Sequence, residues 1–302
     1  MPSQPPQRKP LQPRPDSLQS LLSAVQSRLQ SADVADAGLE ASILVEHATG
    51  LDRTLLLRDI QRPASTFESG AVDELVDRRL AGEPVQYIVG RAWFYGREFD
   101  VDRRVLIPRP ETEGLVVAAL ELLAGRIEGS TRPNICDVGT GSGILAITLA
   151  LECPEAHVVA TDLSAGALDV ACRNCVRHEV GDRVQLVQCD GLAGVSQKVD
   201  IVVSNPPYIR SGDIQALQSE VRDFEPHMAL DGGPDGLDML RSLIAECAEH
   251  VVAGGTALLE VGSGQADEVC DLMTDTGLWT EVKVQADLSG VDRVVCGRRR
   301  AP

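Results

Sequence analysis

Aromatic residues are scarce in this sequence, positive charge is low, and no long apolar run occurs. Phe, Trp and Tyr make up 3% of the 302 residues, and 28 Lys and Arg stand against 45 Asp and Glu, a net charge of −17. Proteins that bind nucleic acid usually present a basic face to the phosphates, so this balance disfavours a duplex substrate. Because the chain has no apolar run of about 18 residues and no apolar signal segment at its start, we expect a cytoplasmic protein.

The eight cysteines are spread along the chain, which favours reduced thiols over a disulfide framework. Only Cys172 and Cys175, in "CRNC", have the spacing of metal ligands. This pair lies in a helical pattern with no second pair or histidine cluster nearby, so core-facing helix residues are favoured over a zinc or redox site. We therefore predict no metal site.

Changes in composition divide the chain into four segments. Residues 1–16 are rich in Pro, Gln and Arg and predict a disordered tail. Apolar residues at helical spacing over 17–84 predict a small domain of four or five helices. The aromatic and β-branched residues of 85–108, interrupted by glycines, predict a β-hairpin linker, and 109–302 forms the larger domain.

Within the larger domain, seven short apolar runs alternate with helical patterns, from "NICDVG" to "DRVVCGR". Strands that alternate with helices predict an α/β fold with a mostly parallel sheet. In such a sheet, ligands bind beyond the carboxyl ends of the strands. The motifs that carry chemistry in this sequence follow those strand ends.

A glycine loop, "DVGTGSG" over Asp137–Gly143, follows the first of these runs and opens a helix. Its spacing is G-x-G-x-G, because Ile144 stands where a dinucleotide fingerprint has its third glycine. Asp162 ends the second strand, where it can accept hydrogen bonds from a ribose diol. Asp137 in the loop suits a ligand with an ammonium group, such as S-adenosylmethionine, better than a pyrophosphate.

The third strand is followed by Asp190, which either meets an adenine edge or forms the turn before Gly191. The fourth strand ends in "SNPPYI". Prolines fix their own φ and confine the preceding Asn205 to extended geometry. The Asn205 amide and the nearby carbonyls therefore lose little conformational entropy when a ligand binds. Such acceptors suit a planar N–H group, either an amide or an exocyclic amine, and Tyr208 adds an aromatic wall.

Several stretches resemble the HemK-type family of peptide-chain release factor glutamine N5-methyltransferases. They include "GEPVQYIVGRAWFYG", "VLIPRPETE", "DVGTGSG", "SNPPYI", "ALDGGPDGL", "LLEVGSGQ" and "DLSGVDRVV". The resemblance implies a helical N-terminal domain that docks the protein substrate, a hairpin linker and a seven-stranded Rossmann-like methyltransferase domain with its last strand antiparallel. It also implies S-adenosylmethionine as cofactor, S-adenosylhomocysteine as product and class 1 release factors as partners of a monomeric enzyme.

The family's functional residues carry over by motif. The predicted cofactor-binding residues include Asp137 and Asp190 from the reasoning above. The others, implied by the resemblance, are Gly139, Thr140, Gly141, Ser142, Gly143, Asp162, Gly191 and Asn205. The substrate-binding residues are Asn205, Pro206, Pro207 and Tyr208. Family members often have a bulky residue in place of Gly191, so this chain departs from the pattern where adenine would pack.

The predicted catalytic residues are Asn205, Pro206 and Tyr208. The Asn205 side-chain oxygen and the Pro206 carbonyl would accept the two N–H bonds of a glutamine amide, while Tyr208 packs on the amide plane and excludes water. Three alternatives stay open: glutamine methylation of ribosomal protein L3, adenine N6-methylation of nucleic acid with base flipping, and a cofactor-binding scaffold without activity.

Overall fold

The computed structural model describes residues 17–125 and 132–301. The predicted tail, residues 1–16, lies outside these described residues. Contacts divide the chain into two compact units, Met1–Val89 and Gly90–Pro302. Within the described ranges, no helix is long and apolar enough to cross a membrane.

The first unit is helical, as the spacing of its apolar residues predicts. Its helices are α1 (Leu18–Gln30), α2 (Ala37–Thr49), α3 (Arg53–Arg58), α4 (Thr66–Leu80) and α5 (Val85–Val89). Ser17 begins α1 with a capping box, in which its hydroxyl accepts from the backbone N–H of Ser20. Leu18, Leu44 and Val72 lie in one buried apolar cluster of this unit. The predicted small helical domain is therefore confirmed.

Residues 85–89, predicted as part of the hairpin segment, form helix α5 instead. Pro84 precedes the helix, and its carbonyl accepts from the N–H groups of Tyr87 and Ile88 at 3.1 Å each. Proline favours the start of a helix, and Val85, Tyr87 and Ile88 are buried. Val85 and Ile88 join the buried cluster of the helical unit, and this burial outweighs the strand preference of their β-branched side chains.

The hairpin itself is shorter than the predicted 85–108 and consists of β1 (Arg91–Phe94) and β2 (Arg97–Asp100). Tyr95 and Gly96 form its two-residue turn, both with positive φ, as hairpin turns of this length favour. The N–H of Tyr95 donates to the Glu113 carboxylate at 2.7 Å. This bond supports a backbone conformation that is unfavourable for a tyrosine.

All seven strands of the predicted sheet form. They are β3 (Asn134–Val138), β4 (His157–Asp162), β5 (Val184–Gln188), β6 (Val199–Ser204), β7 (Val251–Glu260), β8 (Trp279–Ala286) and β9 (Asp292–Arg299). The order is β5-β4-β3-β6-β7-β9-β8. The first five strands of this order are parallel, and β9 is antiparallel to both its neighbours. The antiparallel last strand is therefore confirmed.

Helices cover both faces of this sheet. They are α6 (Glu113–Ala124), α7 (Ile144–Glu152) and α8 (Ala165–Arg177) on one face and α10 (Asp238–His250) and α11 (Ala266–Asp275) on the other, whereas α9 (Ser219–Phe224) lies in the connection between β6 and α10 and buries no residue. Consecutive strand residues point to opposite faces, so Ile135 joins the buried cluster of α6 and α7, whereas Cys136 joins that of α10 and α11. In α8, Cys175 is buried and Cys172 is exposed.

The direction of strand addition reverses between β3 and β6. These two strands are neighbours, and Val138 at the end of β3 pairs with Ser204 at the end of β6. The glycine loop after β3 and the Asn-Pro-Pro-Tyr segment after β6 consequently leave the sheet side by side. Open α/β sheets bind their ligands at such a switch point.

Candidate active site

A cavity of about 210 Å³ lies beyond the carboxyl ends of β3 to β6. Of the residues named from the sequence, nine line it: Gly139, Thr140, Gly141, Ser142, Asp162, Asp190, Gly191, Asn205 and Pro207. Four others, Asp137, Gly143, Pro206 and Tyr208, are not among its lining residues. Segments that are distant in sequence therefore meet around one space.

The glycine loop is bound to the end of β4. The N–H groups of Gly139 and Thr140 both donate to the Thr161 carbonyl at 2.9 Å, and the N–H of Gly141 donates to Asp162. Gly139 and Gly141 have φ of 71° and 55°, and a Cβ added at either would meet no atom within 4 Å. The loop thus needs glycine for its backbone conformation, and it leaves open space beside the chain.

Both carboxylate oxygens of Asp162 accept backbone hydrogen bonds at the cavity wall. One carboxylate oxygen accepts from the Gly141 N–H at 2.9 Å and the other from the Ser164 N–H at 2.8 Å. Burial raises the pKa of Asp162 even though both hydrogen bonds favour the ionised form. Because each carboxylate oxygen has a second lone pair, Asp162 can hold the loop and still accept from the hydroxyl groups of a ribose.

Asp137 lies beneath the glycine loop and holds it to the start of α7. Its Oδ2 accepts from the Thr140 hydroxyl at 2.6 Å and from the Ala146 N–H at 3.0 Å. Its Oδ1 is buried and has no partner among the described residues. Burial raises the pKa of Asp137 to about 7. The predicted contact of Asp137 with a ligand ammonium group stays a prediction.

At the end of β5, Asp190 is exposed and Gly191 is buried. Gly191 has a φ of 51°, and its carbonyl accepts from the Thr161 hydroxyl at 2.9 Å. A Cβ built on Gly191 would collide with the carboxylate of Glu246, which accepts from the Leu192 N–H at 2.7 Å. The Glu246 carboxylate therefore occupies the space that a side chain at position 191 would need.

Asn205 is held by a residue of a distant segment. Its Nδ2 donates to the Thr112 hydroxyl oxygen at 3.0 Å, although the two residues are 93 positions apart. No group in the described parts of the chain donates to its Oδ1 within hydrogen-bond distance. Ser204, just before it, donates from its hydroxyl to the Val138 carbonyl at 2.7 Å. The end of β6 is thereby bound to β3, with the Asn205 amide at the cavity wall.

Tyr208 is packed against the buried cluster of α10 and α11. Its hydroxyl is 3.5 Å from Glu260 Oε1. Burial, followed by the Glu260 charge, raises the pKa of Tyr208 to about 12, so the phenol stays protonated. Its predicted contact with a substrate amide remains a prediction.

The stretch "ALDGGPDGL" supports the backbone of the Asn-Pro-Pro-Tyr segment. The N–H of Ile209 donates to the Leu230 carbonyl at 3.0 Å, and the N–H of Gly232 donates back to the Ile209 carbonyl at 2.8 Å. A Cβ on Gly236 would lie 2.5 Å from the Tyr208 carbonyl. Glycines are required in this stretch because the two backbones approach so closely.

Two loops at the cavity are joined by an ion pair that sequence reasoning did not identify. Glu225, with its side chain 1% exposed, accepts from Arg109 Nη2 at 2.5 Å and from the Ile107 N–H at 3.2 Å. Burial raises the pKa of Glu225, and Arg109 opposes that shift. Arg109 and Pro226 both line the cavity, so this pair holds two parts of its wall together.

Thr112, Glu260 and Gln265 also escaped the sequence reasoning. The Gln265 amide donates from Nε2 to the Tyr208 carbonyl at 3.0 Å and accepts the Gly262 N–H at 2.8 Å. A signal was present in "LLEVGSGQ", where Glu260 ends a strand of buried apolar residues. A carboxylate at a buried strand position needs a specific reason.

Comparison with known proteins agrees with this geometry. Two family models match the chain, the PrmC N-terminal domain over residues 20–90 and the methyltransferase small domain over residues 115–224. A methyltransferase from Pyrococcus furiosus has a similar structure, with a TM-score of 0.50 and 17% identity over 74% of this chain and 98% of its own. At that identity the likeness concerns the fold alone.

Curated relatives match over nearly the whole length. The release factor glutamine methyltransferase of Bradyrhizobium diazoefficiens is 41% identical over 286 residues, 95% of this chain and 96% of its own. That of Koribacter versatilis is 40% identical over 285 residues, 94% of this chain and 99% of its own. With this identity across both units, the chain belongs to the family of release factor glutamine methyltransferases.

Proposed function

We propose that this protein transfers a methyl group from S-adenosylmethionine to the side-chain amide nitrogen of the glutamine in the Gly-Gly-Gln motif of class 1 release factors. One observation carries the proposal. The glycine loop, Asp162 and the anchored amide of Asn205 line the same cavity. The residues proposed to bind a nucleoside and the residue proposed to bind an amide therefore lie around one space at the switch point of the sheet.

The residues present fit this cofactor. Asp162 has acceptor capacity left for a ribose, and the open space beside Gly139 and Gly141 admits a ligand close to the backbone. Asp190 lies on the same wall. When bound, S-adenosylmethionine supplies an electrophilic methyl group on its sulfonium.

The nitrogen of a glutamine amide is a poor nucleophile, because its lone pair is delocalised into the carbonyl. Asn205 Oδ1 and the Pro206 carbonyl would accept hydrogen bonds from its two N–H groups and turn the lone pair toward the methyl group. As the N–C bond forms, the S–C bond breaks to leave neutral S-adenosylhomocysteine, and one N–H proton of the methylated amide passes to solvent. Such positioning lowers the activation barrier by up to about 7–11 kcal/mol, whereas a general base raises the rate only about 10²- to 10⁴-fold. None of the cavity-lining residues that the structure describes is a histidine, which supports positioning as the main source of catalysis.

The choice of substrate follows the relatives, which are release factor glutamine methyltransferases. The net charge of −17 weighs against nucleic acid. We also propose that the helical unit docks the release factor, that the protein is cytoplasmic and that it is a monomer.

Transfer of labelled methyl from S-adenosylmethionine tests the proposed function directly. The acceptors are a release factor, the same factor with the motif glutamine replaced by alanine, ribosomal protein L3 and duplex DNA. Label on the unmodified factor alone is the expected result. Label only on L3 or DNA would keep the methyltransferase and overturn the substrate, and no label on any acceptor would favour a scaffold.

A further inference from the structure

The "CRNC" stretch of α8 holds a buried amide between its two cysteines. Asn174 is 0% exposed, and a buried amide needs partners at both of its ends. Its Oδ1 accepts from the Asp100 N–H at 2.7 Å, while its Nδ2 donates to the Asp100 carbonyl at 3.0 Å and to the Ser142 carbonyl at 2.8 Å. One side chain thus joins the end of hairpin strand β2 to the glycine loop.

Backbone groups fix which end of the Asn174 amide faces the glycine loop. A backbone N–H can only donate and a backbone carbonyl can only accept. The amide oxygen must therefore face the Asp100 N–H, which leaves both Nδ2 protons for the two carbonyls. The reverse orientation would set N–H against N–H and oxygen against oxygen. The hairpin thereby ensures that Asn174 presents a donor to Ser142.

The peptide group between Ser142 and Gly143 is the part of the loop that this donor holds. In a trans peptide the C=O and the N–H point in opposite directions. With the Ser142 carbonyl bound to α8, the Gly143 N–H points away from that helix and donates to the Thr140 carbonyl at 2.8 Å. This second bond closes the turn of the glycine loop, where Thr140 and Ser142 line the cavity.

Glycine makes this peptide group able to rotate. Gly143 has a φ of 85°, and glycine populates both signs of φ, so the peptide before it can reverse while its neighbours stay in place. A side chain could not prevent this, because a Cβ on Gly143 would lie 2.9 Å from Ile147 Cδ1 and 3.3 Å from Ala171 Cβ. The restraint must therefore come from another residue, and the Asn174 amide supplies it.

We propose that Asn174 is a positioning residue for the cofactor: it holds the Ser142–Gly143 peptide in the orientation in which the glycine loop binds S-adenosylmethionine. The identity of the cofactor in this inference rests on the proposed function. Asn174 does not line the cavity. It acts through the backbone of the loop and touches no reacting atom.

Two variants on one face of α8 separate this role from simple support of the hairpin. Asn174→Asp keeps the shape and the acceptor for the Asp100 N–H but replaces the donor with a second oxygen. His178→Phe is the matched control, because His178 lies one helical turn later. Its hydrogen bond to the Glu98 carbonyl, at 2.9 Å, and its ring contact with Phe99 are both with strand β2. Phenylalanine removes that hydrogen bond and keeps the ring.

Calorimetric titration with S-adenosylmethionine and with S-adenosylhomocysteine measures the effect. We expect Asn174→Asp to weaken the binding of both about 10- to 50-fold, and His178→Phe to stay within about threefold of the unmodified protein. At saturating cofactor, kcat should change by less than about threefold in either variant, since the loss is one of binding. Equal cofactor affinity in the two variants would overturn the proposal. A merely structural role would lower the unfolding temperature of both variants without separating their affinities.

Hydrogen exchange in the ligand-free protein, followed by NMR, tests the same contacts without methyl transfer. The Asn174 side-chain protons and the Gly143 N–H should exchange slowly in the unmodified protein. In Asn174→Asp the Gly143 N–H should exchange at least about tenfold faster than in His178→Phe. Fast exchange of the Asn174 side chain in the unmodified protein, which needs no variant to fold, would show the inference to be wrong. If the unmodified protein binds S-adenosylmethionine but methylates no release factor, the proposed function fails and the role of Asn174 stands.

Discussion

At the residue scale, the chemistry of the site depends on the two ends of a single amide. Asn205 donates from Nδ2 to Thr112, and in the proposed mechanism its Oδ1 accepts from the substrate amide. Its confinement by the following proline limits the backbone, and the hydrogen bond limits the side chain. An acceptor held in this way loses little conformational entropy when a substrate amide binds.

Replacing Asn205 with alanine should abolish turnover, because the substrate lone pair is no longer oriented. We expect a loss of kcat of at least about 10³-fold and a much smaller loss of cofactor affinity, because Asn205 is only one of the predicted cofactor contacts and the glycine loop and Asp162 are untouched. Methyl transfer assays and calorimetric titration with S-adenosylmethionine measure the two quantities separately. Normal turnover in Asn205→Ala would contradict the mechanism.

Gly191 offers a second test at the same scale. Gly191→Ala adds a methyl group at positive φ and against the Glu246 carboxylate, so we expect the free energy of unfolding to fall by about 2–3 kcal/mol. Gly290→Ala is the control, because Gly290 also has positive φ but open space around it; it should lose only about 1 kcal/mol. Equal losses in urea unfolding would show that Glu246 moves aside at no cost.

At the element scale, contacts with other parts of the chain hold the loops around the cavity in place. The stretch that contains Gly232 and Gly236 binds the backbone after Pro207 by hydrogen bonds in both directions. Glu225 performs the corresponding task at the cavity entrance, where it joins Arg109 to the loop before Pro226. The walls of the cavity are therefore restrained in the absence of any ligand.

The Arg109–Glu225 pair predicts an asymmetric response to mutation. Arg109→Ala leaves a buried carboxylate unpaired and should lower the free energy of unfolding by about 3 kcal/mol. Glu225→Gln leaves Arg109, which is 32% exposed and can be hydrated, and should cost less. The Arg109→Ala loss should be smaller at pH 5 than at pH 8, because protonation relieves the unpaired carboxylate.

Denaturant unfolding at both pH values measures these losses. Arg222→Ala is the control, since Arg222 pairs with Asp223 at the surface and such pairs contribute about 0–1 kcal/mol. A larger loss in Glu225→Gln than in Arg109→Ala at pH 8 would contradict the expected order.

At the scale of the whole molecule, two buried acids make folding depend on pH. Burial raises the pKa of both Asp137 and Glu260 to about 7. In the unfolded chain such groups titrate near pH 4. The folded protein therefore binds more protons than the unfolded chain between about pH 4 and pH 7, and its stability falls as pH rises through that window.

Urea unfolding at pH 5 and pH 8 measures this dependence. Asp137→Asn and Glu260→Gln each remove one of the raised groups, so each should lose less stability between the two pH values than the unmodified protein, by on the order of 2 kcal/mol. Asp235→Asn is the control, because Arg241 holds the Asp235 pKa at about 2, below this window. An unchanged pH dependence in both variants would contradict the assignment of the two acids.

Local sequence patterns were sufficient for the strands of the sheet and for part of the cavity wall. The seven strands follow from apolar runs that alternate with helical spacing, and Gly139, Gly141 and Asp162 follow from their places at strand ends. Backbone preferences and hydrophobic period act over a few residues, so they can be read without knowing the fold. The prediction that the hairpin segment starts at residue 85 was wrong, because the burial of Val85 and Ile88 in the helical unit was not visible locally.

Neighbouring residues were enough to predict the glycine loop, a carboxylate at the end of β4 in Asp162 and the extended Asn205-Pro206-Pro207 segment, because each depends on residues next to one another. Only the folded structure shows which residues hold these segments in place. Thr112 reaches Asn205 across 93 positions, and the Tyr208 hydroxyl lies 3.5 Å from Glu260 Oε1. Hydrogen bonds between distant segments have no sequence period, so they become visible only once folding brings those segments together.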